Sequence, residues 1–408
     1  MAAPGIQTVN IGRRVVDRQA IGLLHGVSRA RVLGMSSART SDILVVGAGI
    51  AGLSHAIAAV ERGLSVTVID RDSRAVGASV RNFGHACVTA QSGELLELAL
   101  VAREKWLEYG PRAGFFHVES GALAIARTSA ESAVLEELSA SRESGQVRLL
   151  TEGEVRALLG EASDPAIRGG AMLRDDLRVD PCEAVAALAA WLAAQPGVTF
   201  SWRTSFLGAA GGVVRTSRGD FLAARTIVCV GHDLDLLYPE FADENQVERC
   251  GLQMARVAAP DGLRLGPAVL TGTSMLRYPA FAQTDAAAAL RAEMAARHPE
   301  LVGIGANVML TQRPDGTLIV GDSHRYALTQ DPFLAEPIAD TLLDAVATLL
   351  GTPRLQVLER WQGVYASSPQ QPFLVAEPEP GATAAIVTSG VGMTISLGLA
   401  ERTFATFS

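Results

Sequence analysis

Residues 43–60 read ILVVGAGIAGLSHAIAAV, eighteen positions without an acid, a lysine or an arginine. Length and apolarity alone would suit a membrane span. The glycines at 47, 49 and 52 point elsewhere. Ile43–Val46 is a solid apolar run, as in a parallel strand covered on both faces. Gly47-Ala48-Gly49-Ile50-Ala51-Gly52 is a G-x-G-x-x-G, and Ile50–Arg62 reads as the helix it opens. Ser65–Ile69 reads as the next strand, closed by Asp70. Gly47 lets the chain turn sharply. Gly49 lets a pyrophosphate approach the backbone, and Gly52 lets the helix lie close on the strand. The first-turn residues Ile50 and Ala51 present free N–H groups and the positive end of the helix dipole to phosphates. Asp70 can accept from ribose hydroxyls, a carboxylate there disfavours a 2′-phosphate, and Arg71 follows it. The stretch predicts a dinucleotide-binding βαβ unit. No other run in the chain is long enough to span a bilayer.

The chain around this unit has 408 residues, too many for one ordinary domain. Apolar residues make up 48% and charged residues 19%, so large cores are expected rather than disorder. A net charge of −8 excludes the broad basic surface that nucleic acid requires. Lys105 is the only lysine, which fits codon usage but leaves any lysine-dependent step one candidate. Cys87, Cys182, Cys229 and Cys250 are scattered, with no C-x-x-C; no metal site is expected, and a cytoplasmic location fits. Residues 1–40 hold six arginines and one acid, Asp17. They read as a disordered extension, with Met35 as an alternative start, or as an organelle transit peptide.

The glycine motif leaves NAD and FAD open. A simple NAD dehydrogenase would continue with alternating helices and strands. Here a small-residue turn, Gly77-Ala78-Ser79, precedes Arg81-Asn82-Phe83-Gly84. Such a turn can wrap the far side of a dinucleotide and bring N–H groups to a flavin. From this point the chain resembles the FAD-dependent oxidoreductases of the D-amino-acid oxidase, glycine oxidase and sarcosine oxidase type. The resemblance runs along nearly all of residues 41–408. Val179-Asp180-Pro181 and the helix Cys182–Ala194 match a family segment, and Thr226–Val230 with Gly231 resembles the strand and turn over the adenosine and pyrophosphate. Ser389-Gly390-Val391-Gly392-Met393-Thr394 opens a final helix whose N-terminus, in this family, approaches the flavin. A dipole there stabilises negative charge on the reduced ring. FAD is thus the implied cofactor, held by these turns together with Ala78, Ser79, Asn82, Phe83 and Gly84.

Periodicity predicts helices over Leu95–Tyr109, Ser129–Ser141, Leu290–Arg297 and Ala339–Leu350. Strands are predicted over Gly121–Arg127, Thr199–Trp202, Val213–Thr216, Val308–Gln312 and Thr317–Gly321, the last two joined by the turn Arg313-Pro314-Asp315-Gly316. The resemblance implies a mixed α/β fold. An FAD-binding Rossmann-like part (41–112, 170–243, 355–408) interleaves with a mainly antiparallel-sheet substrate part (113–169, 244–354).

Three further segments carry the expected substrate site: 271–278 (TGTSMLRY), 321–326 (GDSHRY) and 360–365 (RWQGVY). With Arg81-Asn82-Phe83-Gly84 they resemble a subgroup associated with phosphonate catabolism. That implies oxidation of 2-aminoethylphosphonate, or its N-methyl form, to phosphonoacetaldehyde. Glycine, sarcosine or a D-amino acid is the alternative substrate, and a flavin-binding protein without catalysis is the alternative class. A neutral amine gives a hydride to flavin N5 and the imine hydrolyses, so the protein has to bind the anion, align the C–H bond and exclude water. Guanidinium groups suit the anion, with Arg81, Arg277 and Arg325 as candidates. Tyr278, Tyr326, Tyr365 and Trp361 are candidate aromatic walls, or plain core. His324, beside Asp322, is expected to tune a proton, touch the anion or serve structure. His85 is a candidate for covalent attachment of FAD, and Met254 for core packing. The electron acceptor is oxygen or another carrier.

Overall fold

The computed structural model describes residues 40–260 and 262–407. The expected extension over residues 1–40 lies outside them, apart from Thr40. Strand β1 (Thr40–Val46), helix α1 (Ile50–Glu61) and strand β2 (Val66–Asp70) form the βαβ unit. Both strands lie parallel, Ile43 beside Val66; Ile43, Val45, Val66 and Val68 pack under helices, and Leu44, Val46 and Ile69 pack on the other face against Phe206, Val214 and Phe221. A long helix, α2 (Gly93–Ala113), follows; Pro111 lies inside it and Gly114 ends it in the left-handed region. Strand β3 (Phe221–Val228) lies parallel to β1 on its other side. These strands belong to an eight-stranded sheet that also takes Val198–Trp202 and Ala382–Val387 as parallel members.

A nine-stranded sheet forms the second part, antiparallel except where Ala122–Ala126 meets Ala268–Leu270. Near one edge of it lies β4 (Glu248–Val257), paired with β5 (Leu318–Gly321) and with β6 (Val357–Ser367). Strand β6, expected with the nucleotide part, thus lies in this sheet, as does Gly169–Leu173. Both strands alternate or run apolar, and nothing in their side chains tells which sheet they join. A third sheet of three short strands joins His85–Ala86, Leu177–Val179 and His117–Val118.

Local rules account for the remaining elements. Asp180 caps the helix Pro181–Ala193 by accepting from Cys182 and Glu183 amides, with Pro181 in the first turn. Such a cap contributes about 1 kcal/mol. The final helix, α3 (Gly392–Ala405), packs on α1 and α2. Trp106 of α2 is wholly buried and its indole N–H donates to Met393 O at 2.8 Å, fixing the start of α3. Among the described residues no helix is long and apolar enough to cross a membrane.

Candidate active site

One continuous cavity of about 430 Å³ runs from Asp70 at the end of β2 to Arg277 beside the second sheet. Gly47, with φ of 100°, turns the chain directly against β3; a methyl there would meet Cys229 O at 2.5 Å. At Gly49 a methyl would meet Ser79 Oγ at 2.9 Å, and Ser79 Oγ accepts the Ile50 amide at 2.9 Å. The Ile50 amide, expected to be free for a phosphate, is therefore taken by Ser79, while Gly49 itself supplies no side-chain cap and Ala51 lines the cavity. Gly52 has another task and does not line the cavity. A methyl there would lie 1.8 Å from Gly47 O, so the helix reaches the strand only because this residue has none.

Asp70 accepts the Ala48 amide at 2.7 Å and the Asp72 amide at 2.8 Å, which holds the carboxylate on the cavity wall; burial raises its pKa. Arg71 lies beside it, paired with Asp233 at 2.5 Å. The small-residue turn is a 3-10 turn, Ala78–Val80, locked by Asn82: its Nδ2 donates to Ala78 O and Ser79 O, and its Oδ1 accepts from Gly84 N. Phe83 lines the cavity, whereas Gly84 packs under Val179 O and does not. Gly231, Gly390, Gly392 and Met393 line it from the other side. Thr394 instead accepts the Cys87 amide at 3.1 Å through Oγ1 and stays off the wall.

At the far end Arg277 donates to Tyr365 OH at 2.7 Å and to Tyr326 OH at 3.3 Å. No carboxylate among the described residues forms an ion pair with it. Burial opposes its charge, but the oxygens of Tyr365, Tyr326 and Asp322 hold its pKa above the usual value. Tyr278 lines the cavity and its hydroxyl points at Met309 Sδ, 3.6 Å away; burial raises its pKa. His324 Nδ1 meets Gly305 O at 2.9 Å, and a carbonyl only accepts, so this nitrogen carries the proton. Burial, then Arg277, lowers its pKa well below the ordinary value, which leaves a neutral ring.

The other candidates sit apart. Arg81 reaches the cavity rim but is exposed and donates to Gln362 O at 3.0 Å. Arg325 is exposed beside Asp331, 3.4 Å away, and does not line the cavity. Trp361 shares a face of β6 with Gly363 and Tyr365, yet lies beyond the cavity, its indole 3.5 Å from Arg81 O. His85 is buried on Asp176 at 2.8 Å and does not line the cavity, so nothing here supports a covalent link through it. Lys105 pairs with Glu61 at 2.5 Å and Glu401 at 2.9 Å, away from the cavity.

Asp322 and Asn307 are among the wall residues not singled out from sequence as site residues. Asp322 is 4% exposed and burial pushes its carboxyl up to about 7. An acid directly after the buried strand Leu318–Gly321 was the available signal. A smaller pocket of about 240 Å³, lined by Tyr326 and residues 367–372, shares Arg277, Tyr365 and Ser389 with the main cavity.

A family model described as FAD dependent oxidoreductase matches residues 42–405. The chain belongs to this family. Its FAD dependence agrees with the cradle described above, where Gly47, Gly49, the 78–82 turn and the start of α3 surround one cavity. Among solved structures, glycine oxidase from Geobacillus kaustophilus is similar at 21% identity, covering 90% of this chain and 94% of its own, with a TM-score of 0.71. L-proline dehydrogenase from P. horikoshii is 18% identical, with 91% and 94% covered and a TM-score of 0.74. Iminodiacetate oxidase from Chelativorans sp. BNC1 is 19% identical, with 88% and 93% covered and a TM-score of 0.68. No curated protein sequence matches the chain. These likenesses establish the mixed α/β oxidoreductase fold of the family.

Proposed function

We propose that the chain oxidises a small anionic amine at the carbon beside nitrogen, giving an imine that water converts to a carbonyl. One observation carries this: a guanidinium without a carboxylate mate, Arg277, faces the same cavity as the nucleotide cradle. Bound FAD supplies the two-electron acceptor. Arg277 binds the anion, and the Tyr365 and Tyr326 hydroxyls hold its plane. Tyr278 and the neutral His324 ring wall the space and exclude water. The neighbours named glycine oxidase and iminodiacetate oxidase favour the same chemistry.

Within this proposal the substrate is 2-aminoethylphosphonate or its N-methyl form, with Arg81 at the rim as a second guanidinium for the dianion. The depth of Arg277 alone favours the competing reading, a carboxylate such as glycine, sarcosine or a D-amino acid. Anaerobic flavin bleaching with each compound decides. Bleaching by carboxylates alone overturns the phosphonate reading, and bound FAD with no bleaching by any amine overturns catalysis. We take the eight-stranded sheet as the nucleotide-holding part and the nine-stranded sheet as the substrate-facing part. We also propose a cytoplasmic enzyme, since the four cysteines are free, and either oxygen or another carrier as acceptor.

A further inference from the structure

We infer that Asp322 receives the substrate's nitrogen: its carboxylate pairs with the ammonium of an amine whose anion rests on Arg277, and takes one proton from it. Given the amine oxidation proposed above, this supplies the neutral amine that hydride loss requires. Asp322 lines the same cavity as Arg277. Strand β5 delivers it, and its backbone is fixed to Asn307 by two hydrogen bonds of 2.9 and 2.8 Å. The Asn307 side chain beside the carboxyl favours its ionised form, which leaves one oxygen to account for. Its Oδ1 is enclosed and accepts no hydrogen bond. A buried carboxylate in that condition is costly unless a cation joins it.

The groups facing it do not fill that need. Arg277 gives one N–H each to Tyr326 and Tyr365; its charge favours the ionised Asp322, but no ion-pair contact joins the two. His324 Nδ1 stands 3.9 Å from Oδ1, but its proton goes to Gly305 O and its ring is neutral. Ser274 Oγ donates to Asn307 Oδ1 instead. The Tyr278 hydroxyl and Cys250 thiol are held protonated by burial. One fixed cation and one acid thus share a cavity, near enough to feel each other's charge but not in contact as an ion pair. That arrangement is complementary to a molecule carrying an anion at one end and an ammonium at the other. In the transfer, an N–H bond breaks, its electron pair stays on nitrogen, and an O–H bond forms on Asp322. The proton passes to water once the product leaves.

The test uses the FAD-bound enzyme without oxygen, with glycine, sarcosine and 2-aminoethylphosphonate between pH 6 and 9. For wild type, the second-order rate of flavin bleaching should rise through pH 7 as the carboxyl ionises. D322N should lower it about 100-fold at pH 8 and remove that rise. D322N should still bind acetate or ethylphosphonate, anions without nitrogen, as read from the flavin spectrum. Bleaching of D322N at near wild-type rate, with the same pH profile, overturns the inference and leaves the amine reading intact. No bleaching of wild type by any amine removes both. A D322N protein that fails to hold FAD leaves a wild-type readout. Acetate should then bind more weakly above pH 7 than below, as the carboxylate appears, and an unchanged affinity overturns the inference.

Discussion

Replacing Asp322 with asparagine should flatten the pH dependence of stability, and the structure sets the size. Burial holds the folded carboxyl near 7, against 3.8 in an open chain. A folded pKa raised in this way contributes stability that is complete below 3.8. That stability is lost as pH rises through about 7. Each unit corresponds to about 1.4 kcal/mol. Between pH 5 and pH 8.5 wild type therefore loses about 3 kcal/mol through this one group, and D322N loses none of it. Urea unfolding of both proteins at fixed excess FAD and without substrate, followed by tryptophan fluorescence, measures the gap. The gap should move in favour of D322N by roughly that amount as pH rises. A gap constant to within about 0.5 kcal/mol would refute the reasoning, because Asp322 would then titrate as an exposed acid.

Arg277→Met should lower the second-order rate of amine-dependent bleaching by at least about 100-fold while the flavin spectrum persists, since the proposed anion contact is lost together with the bonds to Tyr365 and Tyr326. Gly52→Ala should cost about 3 kcal/mol or more and release FAD on gel filtration, because its methyl would overlap Gly47 O. Lys105→Met should leave the ratio of peroxide formation to dye reduction unchanged and cost about 1 kcal/mol of stability, as a partly exposed ion pair does. Acid precipitation should leave all flavin in the supernatant; flavin retained on the protein would contradict the enclosed position of His85.

The nucleotide half was legible because its constraints are local. Three glycines, one solid apolar run and one acid at the end of the next strand each answer to a single backbone requirement. Ser129–Ser141 and Val213–Thr216 could be bounded from periodicity and turns, since both end where the pattern ends. The substrate half was less legible because its site comes from register. Arg277 meets Tyr365 only because β6 lies along β4, Cys250 opposite Tyr365, and no spacing in the sequence encodes that pairing. Trp361 drew notice as a large ring in the same strand, yet two further steps carry it past the wall. Asp322 is legible only as the neighbour of His324, because no spacing in the sequence shows that an acid after a strand is buried.

Arg277 belongs to two spaces, the deep cavity and the smaller outer pocket, with Tyr365 beside it in both. The group proposed to grip the anion therefore also lines the boundary between the two spaces. A product leaving through the outer pocket would have to move this guanidinium, so the grip of the tyrosines on it would set affinity and exit together. An enzyme built so trades residence time against throughput, and its slowest event at saturating substrate is expected to be departure of the product rather than cleavage of the C–H bond.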